Sequence, residues 1–302
     1  MAQLTYLQAI VIGLLQGVTE LFPISSLGHS ILVPAWIGGS WSRLVTDQSS
    51  PESPYLAFIV GLHVATATAL LVLFWWDWVG IVKGFFTSVR HRRIVTAYER
   101  MAWLLVLSTI PAGLTGLLLE HQLRVVFAKP LAAAVLLSIN GLILLTGEWL
   151  RRQSRRHPPA PVARPEAGSA PALDVAAAQH ISEPTAVVIG VLQSAALLPG
   201  ISRSGITMVA GLMRGLSHEE AVRFSFLLAT PIILAAGVYK VPDLLGPLGN
   251  GIRGQSLAGA VAAFVAALIA AKFLQRWFRT RTLTPFAIYC LVGGVVSIVH
   301  FA

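Results

Sequence analysis

LLPGISRSGITM, residues 197–208, lies in one of the more apolar regions of a very apolar chain. Within nine residues it holds Pro199, Gly200, Gly205, three hydroxyls (Ser202, Ser204, Thr207) and the charged Arg203. A buried helix rejects most of these. Proline lacks the N–H, glycine costs entropy in a helix interior, and a guanidinium in apolar surroundings is expensive. The stretch therefore breaks the helix that contains it, and the flanking sequence shows what kind of helix that is.

The 302-residue chain is 55% hydrophobic and only 12% charged, with a mean hydropathy of +0.73. Soluble domains carry about 25% charged residues. Six windows, 55–78, 101–119, 131–150, 222–240, 255–274 and 284–301, are apolar enough and long enough for full membrane spans. Two further stretches, 4–36 and 184–214, are interrupted near the middle by FPISSLGHS (22–30) and LPGISRSG (198–205). Such a break is tolerated at membrane depth only where the backbone is buried in protein or lines a cavity. Both stretches are read as re-entrant helix–loop–helix hairpins, ordinary Pro-kinked spans being the plainer alternative. The fold expected is an all-α integral membrane protein with six transmembrane helices and two re-entrant hairpins.

The net charge of +9 does not point to nucleic acid, because Lys and Arg cluster between the apolar windows. With two hairpins and six spans, the basic residues of 83–100, 151–182, 214–223 and 272–281 fall on one side, sixteen in all. Arg43, Arg124, Lys129, Lys240 and Arg253 fall on the other, and Arg203 lies in the break. Both termini should then face away from the cytoplasm. One cysteine, Cys290, excludes a disulfide or zinc framework. The N-terminus lacks a basic start and contains Glu20, so it is not read as a cleaved signal.

The chain also repeats itself. VIGLLQ at 11–16 matches VIGVLQ at 188–193, an offset of 177, and without a gap Ile24, Ser25 and Gly28 then meet Ile201, Ser202 and Gly205. Three spans separate the two hairpins, and an odd number reverses direction, giving an inverted-topology repeat with its site where the broken helices meet. The halves are 1–150 and 183–302, joined by a Pro/Ala/Arg-rich cytoplasmic linker, 151–182, expected to be poorly ordered.

The first break, QGVTELFPISSLGHS (16–30), puts Gln16 and Glu20 on one helix face, offers Ser25 or Ser26 as the cap of the next half-helix, and adds His29 one turn later. In the second, Gly200 and Gly205 allow close backbone approach and Arg203 offers a planar fork for phosphate oxygens. Ser202, Ser204, Thr207 and a half-helix N-terminus add further donors. The pair reads as a phosphate cradle inside a membrane. His63 is either a contact to that cradle or a hydrogen-bonded core histidine. Glu219 and Glu220 after Ser217 read as a helix start, and Trp75, Trp76 and Trp78 as an interfacial belt.

QGVTELFPISSLGH followed at a distance by PGISRSG resembles the undecaprenyl-diphosphate phosphatase family, the BacA-type bacterial enzymes, as do FIVGLHVATATALLVLF and RFSFLLATPIIL. The resemblance spans most of the chain outside the linker. It implies a multi-pass protein of the bacterial inner membrane that removes the terminal phosphate of a C55 polyprenyl diphosphate, generally with a divalent cation, at a site open to the periplasm. Such an activity recycles the lipid carrier for cell-wall synthesis. It implies catalytic roles for Glu20, Ser26, His29 and Arg203, and diphosphate contacts from Ser25, Gly28, Gly200, Ser202, Ser204, Gly205 and Thr207. Mg²⁺ or Ca²⁺ would be held by Glu20, with Gln16 as a weaker ligand. Ser26 is taken as the nucleophile with His29 as its general base or as the acid for the leaving phosphate, His29 itself being the competing nucleophile. Gln16 stands where many members have a first Glu, and Leu27 where many have Thr, which weakens the metal and phosphate sites respectively. A lipid-phosphate transporter or flippase remains the rival, since inverted repeats of broken helices also serve carriers. The partners expected are the lipid substrate and membrane lipids, with no nucleic acid; a homodimer is left open.

Overall fold

The computed structural model describes residues 4–46, 54–127, 129–154 and 181–302. Nearly all of the linker and its arginines 155, 156 and 164 lie outside them. Among the described residues there are helices and no strands. The first half runs α1 (Tyr6–Thr19), α2 (Ser26–Ile37), α3 (Gly39–Thr46), α4 (Pro54–Leu73), α5 (Trp75–His91), α6 (Ala97–Phe127) and α7 (Pro130–Ser154). The second runs α8 (Glu183–Ser194), α9 (Arg203–Met213), α10 (His218–Leu245), α11 (Arg253–Trp277) and α12 (Thr284–Phe301).

Six of these, α4, α6, α7, α10, α11 and α12, are long and apolar enough to cross a membrane. The chain is an all-α integral membrane protein. By contrast α1, α2, α8 and α9 have 14, 12, 12 and 11 residues, roughly 16–21 Å each at about 1.5 Å per residue. None of the four reaches across a core of about 30 Å alone.

Caps set the ends of the short helices. Thr5 and Gln8 form a capping box at the start of α1, Ser182 caps α8, and Ser25 and Ser202 cap α2 and α9 from inside the two breaks. At α10, Ser217 and Glu220 form a second capping box, while Glu219 reaches Arg279 at 3.2 Å. The expected span 55–78 ends five residues early. Phe74 breaks the helix, and α5 continues to His91 through much of what looked like a basic loop. Trp75 and Trp76 are exposed, as a belt requires, but Trp78 is partly buried. Asp77 is buried and holds Arg223 at 2.5 Å, with the guanidinium also over the ring of Phe74. Arg223 is thus held inside the protein rather than on a basic rim.

The two halves interlock. α1 packs on α11 and α8 packs on α6, so each half's first helix lies against a long helix of the other half, and α7 packs on α12 between them. Small residues make this close. A methyl on Gly13 would collide with the carbonyl of Gly259, and one on Gly190, its partner at the offset of 177, with the carbonyl of Ser108. Glycine permits this approach because in an apolar solvent helices associate through contact rather than hydrophobicity.

Candidate active site

The breaks after α1 and α8 touch each other. α1 ends at Thr19, a turn carries the chain through Pro23, and Ser25 adopts φ 70°, unusual for a residue with a side chain. In that conformation its Oγ accepts from its own helix at Gly28 N, 3.2 Å, and from the other break at Gly200 N, 3.0 Å. Gly200 has φ 112°, and a Cβ there would sit 2.5 Å from the carbonyl oxygen of Ala133, so the position admits only glycine. Ser204 Oγ donates to Phe22 O at 3.0 Å, across the same seam.

Asn140, in the middle of α7 and fully buried, holds both breaks. Its Nδ2 donates to Pro23 O and its Oδ1 accepts from Ser202 N, both at 2.9 Å. Neither backbone group can turn to water in this interior, and each unsatisfied one costs about 1–3 kcal/mol. Asn140→Leu, nearly the same volume, should therefore destabilise the protein by about 2–4 kcal/mol. A detergent-solubilised melting curve unchanged from wild type would show that the seam does not depend on it.

Glu20 is the hub of the site and is 7% exposed. Its Oε1 accepts from Arg203 Nη2 at 2.9 Å. Its Oε2 accepts from Gln16 Nε2 at 2.9 Å and from Ser26 Oγ at 2.6 Å. His63 Nε2 lies 3.3 Å from the same oxygen, its Nδ1 being tied to Ile59 O at 2.8 Å. The shortest of these contacts is the hydroxyl on the carboxylate, the geometry that makes Ser26 Oγ more basic and gives its proton a destination. Arg203 spends one terminal nitrogen on Glu20; the other, Nη1, is buried with no partner. All these groups except Gln16 line one cavity of about 280 Å³, whose remaining wall is mostly aliphatic, from Leu56, Ile59 and Val60 of α4 and Ile232, Ile233 and Ala236 of α10 among others. The cavity has a charged end and an oily body.

Several residues expected at the diphosphate have their polar groups engaged within the protein. His29 does not meet Ser26 or Glu20. Its Nδ1 is 2.7 Å from Ser25 O and its Nε2 2.8 Å from Tyr289 OH on α12, against which the ring also stacks. Both ring nitrogens are committed to holding the loop, which leaves no free one to serve Ser26 as a base. Thr207 is fully buried, bonded to Arg203 O, Ser204 O and Ser225 Oγ. Ser202 lines the cavity, but its Oγ accepts from Gly205 N as a helix cap. Gly28 and Gly205 serve close packing: a Cβ on the first would be 3.0 Å from Gly200, and on the second 3.2 Å from the Ser202 Cβ.

The donor set also does not fit a divalent cation held by Glu20 and Gln16. Glu20 is the sole carboxylate lining the cavity, both its oxygens already accept from donors, and Gln16 turns its NH₂ rather than its carbonyl toward it. Among the described residues no group of three or more His, Cys, Asp or Glu could hold a metal.

Four participants were not singled out for the site from sequence or were left undecided. His63 comes from α4, and nothing in FIVGLHVAT distinguishes a site histidine from a packed one. Asn140 and Tyr289 come from remote helices with no local motif. Gln193 also lines the cavity, and its signal was present in the sequence, as the register partner of Gln16.

An integral membrane protein that brings a guanidinium, a carboxylate and a hydroxyl to the wall of a mostly aliphatic cavity is a protein suited to an anionic head on an apolar tail. The chain belongs to the family described as "Bacitracin resistance protein BacA", which it matches over residues 9–296. It is similar to proteins named "Undecaprenyl-diphosphatase" from Mycolicibacterium paratuberculosis, 59% identical over all of this chain and 99% of that one, and from Gluconobacter oxydans, 43% identical over 97% and 98%. "Undecaprenyl-diphosphatase 2" of Frankia alni is 54% identical over 100% of this chain and 99% of its own.

Proposed function

We propose that this chain hydrolyses undecaprenyl diphosphate, or a closely similar polyprenyl diphosphate, to the monophosphate and inorganic phosphate. The single observation that carries the proposal is the shared carboxylate. Glu20 accepts from Ser26 Oγ at 2.6 Å on one oxygen and from Arg203 at 2.9 Å on the other, at the charged end of an oily cavity. The relatives' names supply the substrate.

In this mechanism the terminal phosphate lies against Arg203 Nη1, which neutralises charge on its equatorial oxygens. Ser26 Oγ attacks the terminal phosphorus, the bond to the bridging oxygen breaks, and the lipid monophosphate leaves. The Ser26 proton passes to Glu20 Oε2, where His63 Nε2 stands next along the path. Water then attacks the phosphoserine, giving phosphate and returning the proton to Ser26. His29, bound to Ser25 O and Tyr289 OH, keeps the loop in place. Mg²⁺ or Ca²⁺ would come in with the diphosphate, which brings its own oxygen ligands; Glu20 would join only by giving up Arg203 or Ser26.

The two broken pairs are taken as re-entrant hairpins of an inverted repeat spanning 1–150 and 183–302. The helix lengths, the offset of 177 and the paired packing of α1 on α11 and α8 on α6 support this. The charge asymmetry supports a cytoplasmic linker and periplasmic termini; a site open to the periplasm is what the resemblance to the family implies.

Purified protein given polyprenyl diphosphate and Mg²⁺ should release one phosphate per lipid. Glu20→Gln, which keeps the shape and removes the proton acceptor, should lower kcat by about 10²- to 10⁴-fold. Tail-dependent binding with no phosphate released under any cation would make the protein a carrier instead.

A further inference from the structure

Gln193 is 98% buried by its 2% exposure, lines the same cavity as Arg203, and neither its Nε2 nor its Oε1 has a hydrogen-bond partner. Buried amides are almost always paired, because an unmet donor or acceptor pays the full cost of leaving water. The repeat shows why this one is not. Gln16 and Gln193 occupy the same register, 177 residues apart. In the first half the residue four positions on is Glu20, and the Gln16 amide donates to it. In the second half that position is Leu197, which offers the amide nothing. The second glutamine therefore keeps its donor and its acceptor for something that is not part of the protein.

Among the described residues, the cavity lining has only one other buried side-chain polar atom without a partner, Arg203 Nη1. We infer that Gln193 is a substrate-positioning residue, its Nε2 donating to a phosphoryl oxygen of the diphosphate that Arg203 Nη1 also grips, and its Oε1 accepting from a water carried in with the headgroup. The inference rests on the diphosphate as substrate and adds a third group to its recognition. A neutral amide is suited to this place. It binds a phosphoryl oxygen without adding charge, so it does not compete with Arg203 for Glu20.

The test compares wild type, Gln193→Leu and Gln193→Glu in phosphate release from polyprenyl diphosphate, in equilibrium binding of that lipid, and in thermal unfolding. Leu should lower kcat/KM roughly 10- to 100-fold, the worth of one hydrogen bond to a charged group, chiefly through KM. Its unfolding temperature should be unchanged or higher, since no protein partner is lost. Glu, of the same shape but anionic, should bind the lipid more weakly than Leu. Weakened product inhibition by inorganic phosphate would assign the contact to the terminal phosphate, and by polyprenyl monophosphate to the phosphate left on the lipid. Binding and KM within twofold of wild type in both variants would overturn the inference, as would unfolding temperatures that fall in both. Wild type that binds the lipid and releases nothing would instead remove the hydrolase, and the binding series would still decide on Gln193.

Discussion

Arg203→Ala is expected to lower kcat/KM for phosphate release by about 10³-fold or more. Arg203 is the one permanent cation lining the cavity, and its fork does two things at once. Nη2 fixes Glu20, and Nη1 is left for the substrate. Arg203→Lys should recover little, because a point charge cannot serve both positions. Stability separates this from simple misfolding. Removing either member alone leaves a buried charge without its counter-charge, a loss of about 3–5 kcal/mol. The double variant Glu20→Gln with Arg203→Leu leaves neither charge, so it should regain most of the unfolding temperature and none of the activity. An Arg203→Ala protein that releases phosphate within tenfold of wild type would exclude the guanidinium from the chemistry.

Ser26→Ala should be as severe, at about 10³-fold or more in kcat, because in the proposed mechanism it removes the nucleophile itself. The tail and Arg203 are untouched, so lipid binding should persist while turnover stops. Wild type quenched during turnover with terminally labelled lipid should carry an acid-stable phosphoserine at Ser26. His29→Ala should cost far less, within about tenfold, since His29 acts on the loop through Ser25 O and Tyr289 OH. An acid-labile phosphohistidine at His29, or an inactive His29→Ala beside an active Ser26→Ala, would reverse the two roles.

Much of the architecture could be read from the chain because it depends on local composition. Six spans are visible as apolar windows, and both interruptions as Pro, Gly and Ser where apolar residues should continue. The outlier was the window 55–78. There Phe74 breaks the helix and Asp77 turns inward to Arg223, a tertiary pairing across 146 residues with no local trace. The site was legible in the same uneven way. Glu20, Ser26 and Arg203 were marked by being polar where polarity is expensive, and they do come together at 2.6 and 2.9 Å. The direction in which His29 faces was not legible, because Tyr289, 260 residues away, decides it. Nor was Thr207, whose hydroxyl looks available in sequence but is consumed by α10 at Ser225. Residue type announced the chemistry; orientation came from the neighbouring helices.

The glycine-lined seating of α1 on α11 has a consequence for how the molecule is made. The surface that receives Gly13 is Gly259, some 240 residues downstream and near the end of synthesis. Until that helix leaves the ribosome, α1 has no permanent neighbour along its small-residue stripe, and it must wait in the insertion machinery or against lipid. A chain arrested after its first half would therefore stall as a half-docked intermediate, exposing backbone that only the late helices can cover.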